Sequence, residues 1–70
     1  PPAALDEQLT AALGRLPAEL GQAVRLRYLD GYTQREAARI AGCPRGTLSR
    51  RASDGIQALR GLLADDPEFD

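Results

Sequence analysis

The chain has 70 residues, nine basic and ten acidic side chains, a net charge of −1, one Cys and no His. That length makes one small domain, near the lower limit for a single unaided core. One Cys excludes an internal disulfide, and without His there is no zinc ligand set; these residues hold no apolar run long enough for a membrane span and no signal-peptide pattern.

The first predicted helix runs from Ala3 to Leu16, with Leu5, Leu9, Ala12, Leu13 and Leu16 at helical spacing. Asp6 and Glu7 fall in its first turn, where carboxylates suit the positive helix end. The opening Pro1-Pro2 is expected to be a cut point in a longer protein. Gly14 lies near the exit, and Pro17 is expected at the first position of the next helix. That second helix covers Ala18 to Leu29, with Leu20, Ala23, Val24 and Tyr28 as one face. Leu26 and Leu29 widen the stripe, so that one or both are available to a partner. Asp30-Gly31 is a turn signal.

The stretch Thr33 to Ser53, TQREAARIAGCPRGTLSRRAS, is the centre of the chain. Thr33 and Glu36 have capping-box spacing: the hydroxyl accepts from a first-turn N–H and the carboxylate reaches back. Tyr32 just before the cap is placed for a hydrophobic staple on Ala37. Ala37, Ala38, Ile40 and Ala41 form an apolar stripe, with Arg35 and Arg39 on the other face. Gly42 fits a left-handed helix stop, and Pro44 prevents continuation. The following helix either starts at Arg45 or is capped by Thr47. A small residue where two helices touch (Ala38), a Gly at the corner (Gly42) and two apolar pins (Cys43, Leu48) are what a helix-turn-helix needs. Cys43 reads as a small buried hydrophobe.

The last helix is predicted from about Gly46 to Leu63, with Leu48, Ala52, Ile56, Leu59, Leu62 and Leu63 inward. Gly55 within it costs about 1 kcal/mol relative to Ala, which suggests a close approach to another helix. No strand pattern occurs. The fold class is all-α: a small four-helix domain over residues 1–64 with a helix-turn-helix at 33–53, of the winged-helix-like DNA-binding class without a wing. Tyr28 and Tyr32 are its larger expected core members. Residues 65–70 form an acidic, frayed tail, with Phe69 isolated in it.

The charge distribution matters more than its sum. Residues 33–63 carry six Arg against Glu36 and Asp54, an excess of four positive charges. Asp65, Asp66, Glu68 and Asp70 leave residues 64–70 with four negative charges and no base. The helix-turn-helix half is thus locally basic, and phosphate contacts depend on local field. A nucleophile beside a base and a Gly-rich phosphate loop are both missing from the sequence, so an enzyme is not expected, nor is any catalytic residue, metal or cofactor.

LGRLPAELGQAVRLRYLDGYTQREAARIAGCPRGTLSRRAS resembles region four of a bacterial RNA polymerase sigma factor of the extracytoplasmic-function group. The likeness covers roughly Leu9 to Leu63. Its telling pieces are LP at 16–17, LRYLDGYT at 26–33, EAARIAG at 36–42 and PRGTLSRR at 44–51. The resemblance implies a cytoplasmic DNA-binding domain whose second motif helix enters the major groove of the promoter −35 element. It implies docking of the preceding helices on the β flap of RNA polymerase core. Arg39, Arg45, Thr47, Ser49, Arg50, Arg51 and Ser53 then lie at or near DNA. Arg50 and Arg51 can reach guanine, but they point about 100° apart, so one reads a base and the other holds a phosphate. An anti-sigma factor, or the factor's own N-terminal domain, is a further partner; a membrane or a small-molecule ligand is not. The chain departs from the family pattern at Asp54-Gly55-Ile56, where further Arg is common, and at Ala52, where a bulkier residue is common. Two other readings stay open. One is the DNA-binding domain of a response-regulator-type activator; the other is a helical interaction module with a masked DNA face.

Overall fold

The computed structural model describes residues 2–64, with side chains from Glu7 onward; the tail at 65–70, Phe69 included, lies outside the described residues. Helix α1 covers Pro2–Arg15 and α2 covers Ala18–Val24. A π-helical turn over Arg25–Leu29 prolongs α2, and α3 (Gln34–Ala41) and α4 (Arg45–Ala64) follow. The domain is all-α, with no strand among the described residues.

Two boundaries differ from expectation. With α1 starting at Pro2, its first turn carries no acid, and Asp6 and Glu7 stand further in. Pro17 is the cap of α2 rather than its first residue: it is extended (φ −51°, ψ 141°), and its carbonyl accepts from the N–H groups of Leu20 and Gly21, each at 3.0 Å. A proline loses nothing there, because that N–H has no intrahelical partner anyway.

The largest difference lies in the π turn. A π turn takes in one more residue than an α turn, and the side chains of this turn do not follow the expected stripe. Tyr28, expected inward, is 59% exposed, and Leu29 is 54% exposed. Leu26 takes the inward place and is buried. The extra residue persists into the helix end, where Asp30 N–H donates to the Arg25 carbonyl (2.8 Å) and Tyr32 N–H to that of Leu26 (2.9 Å). Gly31, at φ +76°, supplies the left-handed step between them. Tyr32 is carried to the surface as well. Neither Tyr is a core residue. Ile40 also leaves its expected stripe: α3 turns Ala37 and Ala38 inward and leaves Ile40 exposed.

The core has two lobes strung along α4. One unites Ala23, Leu26, Ala37, Ala38, Leu48 and Ala52, with Ala41 and Cys43 against it. The other unites Ala12, Leu13, Leu16, Val24 and Leu59, with Leu9, Leu20, Ile56, Leu62 and Leu63 half-buried around it. Leu48 and Val24 are the largest fully buried side chains, one in each lobe. Burying either side chain contributes roughly 1.5–3 kcal/mol. Helix α4 packs most extensively on α2, and Gly55 is the point of closest approach. A Cβ at Gly55 would stand 2.5 Å from Val24 Cγ2 and 3.0 Å from the Leu20 carbonyl oxygen. Val24 is β-branched and fully buried, so its methyl has nowhere to go.

This geometry sets two effects against each other. Ala in place of Gly gains about 1 kcal/mol of helix propensity, but overpacking typically costs about 1–3 kcal/mol. At Gly55 the clash involves backbone and should win, so Gly55→Ala is expected to destabilise the domain. Gly61 sits on the same helix with nothing within 4 Å of its would-be Cβ. Gly61→Ala should therefore stabilise it by up to about 1 kcal/mol. Urea unfolding of the two variants beside wild type checks both signs; a stabilised Gly55→Ala would mean that α2 and α4 are further apart than described.

Candidate nucleic-acid interface

Helix α3 is held at both ends by the groups its sequence supplies. Thr33 Oγ1 accepts from Glu36 N–H (3.1 Å), and Glu36 Oε1 accepts from Thr33 N–H (2.9 Å), which completes the capping box. At the other end Gly42 is left-handed (φ 71°). Its N–H donates to the Arg39 carbonyl (3.2 Å), and Cys43 N–H donates to that of Ala38 (3.1 Å). These two bonds form a Schellman stop. Pro44 then hands the chain to α4, whose first hydrogen bond runs from Leu48 N–H to the Pro44 carbonyl (3.0 Å). The helix thus begins at Arg45, and Thr47 is within it rather than its cap.

A second tie crosses the corner. Gln34 Nε2 donates to the Arg45 carbonyl at 3.1 Å, fastening the start of α3 to the first residue of α4. Beneath it, Ala37 and Ala38 press on Leu48 and Ala52. The small side chains let the two helices cross closely, and Leu48 is completely enclosed.

With one face of α4 fixed inward by Leu48, Ala52, Gly55 and Leu59, the rest of its surface follows from 100° per residue. Arg50 lies almost opposite the buried stripe and is exposed. Arg45, Ser49 and Ser53 form one exposed flank beside it, and Arg39 is exposed on α3. Thr47 and Arg51 lie on the other flank and are half-buried. The consecutive arginines are therefore not equivalent. The Arg51 guanidinium turns back to Glu19 at the start of α2, with Nη2 3.5 Å from Oε2. Asp54 and Gln57 share the outer face with Arg50.

Two positioning groups lack any local sequence signal: Gln34, whose partner is 11 residues away, and Glu19, whose partner is on another helix. Arg27 adds a third, donating through Nη1 to the Tyr32 carbonyl just before the α3 cap. The face these elements present is convex, basic and polar, with long donors over exposed hydroxyls. That chemistry suits phosphates and base edges. No group of His, Cys, Asp and Glu among the described residues could hold a metal ion. No helix there is long and apolar enough to cross a membrane.

Residues 12–61 match the family model for Sigma-70, region 4. No solved structure matches the chain.

The cap gives the interface a pH dependence. The Thr33 backbone N–H, then the Thr33 hydroxyl, hold the Glu36 carboxyl below its ordinary range, with a smaller contribution from the Arg39 charge. A carboxyl lowered on folding stabilises fully above its unfolded pKa, and that stability is lost as pH falls through the folded value. Glu36→Gln keeps an acceptor for the box but cannot titrate. Stability of the wild type should therefore decline between about pH 5 and pH 3, and part of that decline should vanish in Glu36→Gln. Thr33→Ala should cost about 1 kcal/mol at neutral pH. Denaturant unfolding across this pH range measures both; an identical acid limb in Glu36→Gln would rule out the cap as its source.

Proposed function

Because the chain belongs to the Sigma-70, region 4 family, a DNA-binding domain of transcription initiation factors, we propose that it reads the −35 element of promoters for an alternative sigma factor of the extracytoplasmic-function group. Family membership sets aside the response-regulator alternative, and the family is not a catalytic one. Helix α4 enters the major groove, and α3 braces it across the backbone. The observation that carries this reading is the exposure of Arg50 opposite the buried stripe, on a helix clamped at its start by the Gly42 stop and the Gln34 bond.

Within that frame the roles divide by position. Arg50 is long enough for a bidentate contact to guanine O6 and N7. Ser49 and Ser53 flank it and reach base edges or phosphates. Arg39, Arg45 and Thr47 lie nearer the corner and hold phosphates, which set register and carry no sequence information. Arg51, half-buried on the far flank beside Glu19, is not the base reader. Asp54 either repels phosphate or accepts from cytosine N4. Gly55 cannot be the further Arg that relatives commonly carry, because Val24 fills the space any side chain would need. The resulting helix holds DNA weakly alone, which suits a module linked to polymerase and a second DNA-binding domain.

The polymerase partner takes a different face. Tyr28, Leu29 and Tyr32 are exposed just before the motif. Aromatic residues of that kind are enriched where proteins meet. In this reading they dock on the β flap of RNA polymerase core, and an anti-sigma factor or the factor's own N-terminal domain competes for the same surface or for the Arg face. Leu26, weighed from sequence as part of such a surface, is buried and drops out.

Selection of promoter sequences bound by holoenzyme carrying the factor tests the reading. Arg50→Ala should relax preference at one promoter position, losing about 1–3 kcal/mol of discrimination. Arg45→Ala should weaken binding on every sequence and make the salt dependence shallower by about one phosphate contact. Equal loss on all sequences for Arg50→Ala would remove base readout from this residue and favour an interaction module instead.

A further inference from the structure

Arginine 51 is the one cation of the proposed DNA face that already has an anionic partner among the described residues. Its guanidinium lies 3.5 Å from the Glu19 carboxylate, with the Arg51 side chain 27% exposed and that of Glu19 71% exposed. Glu19 itself has an independent reason to stand where it does: it occupies the first turn of α2, where a carboxylate faces the positive helix end. The neighbouring Arg50 has no anionic partner among the described residues and is exposed. Two adjacent arginines with the same reach would otherwise both seek phosphate. Phosphate attraction is indifferent to sequence, so a second free cation beside the reading residue raises affinity for all DNA alike.

We propose that Glu19 is a positioning residue that limits sequence-independent binding: it holds Arg51 on the protein, so that of the two adjacent arginines only Arg50 engages the groove. This rests on the DNA reading above. Three features of the geometry support it. The pair bridges α2 and α4, so it can restrain a side chain on α4 without occupying the DNA face. Glu19 is open to solvent, so the pair is weak enough to yield. An exposed pair of this kind shifts an equilibrium by no more than about fivefold. Finally, Arg51 is half-buried on the flank of α4, whereas Arg50 is exposed on its crest.

The test uses the 70-residue chain, the duplex it enriches from a random-sequence library, and a scrambled duplex of equal composition, with binding followed by fluorescence anisotropy across a salt series. Glu19→Gln, which keeps the size and the helix propensity of the side chain, should bind both duplexes up to about fivefold more tightly. Its log–log salt slope should steepen by about 0.9, the equivalent of one added phosphate contact. The ratio between the duplexes should stay unchanged, because a phosphate contact strengthens binding to both alike. In an Arg51→Ala background Glu19→Gln should change nothing. If the gain survives without Arg51, Glu19 merely repels DNA and the proposal falls. It also falls if Glu19→Gln lowers the melting temperature and binding together, since the pair is then a structural strut. Arg50→Ala separates the two layers: if it abolishes the preference for the enriched duplex while Glu19→Gln has no effect, base readout stands and the restraint does not. If no variant binds either duplex even at low salt, the restraint is overturned, while the promoter reading is judged by the holoenzyme selection above.

Discussion

Close approach between helices is the constraint on which this domain depends. Helix α4 runs through both lobes of the core, and it can serve both only because small residues face its neighbours at the crossing points. Ala37 and Ala38 let α3 lie against Leu48 and Ala52. Gly55 lets Val24 and the Leu20 backbone pass where a single methyl would not fit. In a chain this short the core cannot be thick, so stability comes from contact distance more than from bulk. The same constraint aims the outer surface. Once Leu48, Ala52, Gly55 and Leu59 face inward, the direction of Arg50 is no longer free.

Much of this was legible in the residues. The capping box at Thr33 and Glu36, the left-handed stop at Gly42 and the apolar spacing of α4 are local signals, and each appears where its residues stand; in α1 the same holds from Leu9 onward, Leu5 lying outside the described side chains. Gly55 was readable as an approach point because a helix tolerates the loss of propensity only for a packing reason. What was not legible is whatever depends on a distant partner or on a change of helical pitch. Tyr28 has the spacing of a core residue in an α-helix, yet it stands exposed within the π turn. Ile40 looked apolar enough for the core, but α3 is short and its two alanines already fill the crossing. Nothing in the local sequence announces that Gln34 would bond the Arg45 carbonyl or that Glu19 would take Arg51. The charge pattern located the basic half of the chain, but its sum of −1 did not say which arginines are free.

Electrostatics and packing meet at the corner between α3 and α4. The Gly42 stop, Pro44 and the Gln34 bond fix where α4 starts, so its first two turns arrive at their ligand already ordered. That order reduces what binding must spend on freezing side chains and backbone. It also means that the surface is polar by arrangement and not merely by composition. Hydroxyls and one crest arginine look outward, while the second arginine and Thr47 are drawn toward the body of the protein.

The π turn at Arg25–Leu29 has a consequence of its own. An ordinary rod of this length shows one oily stripe, so everything apolar on it ends up indoors. Slipping a single surplus residue into one coil twists the downstream half out of phase with the upstream half. The rod then greets two clients at once: Val24 and Leu26 stay with the fold, while Tyr28 and Leu29 are offered to the outside. An insertion or deletion in this coil should therefore change both what the rod buries and what it displays.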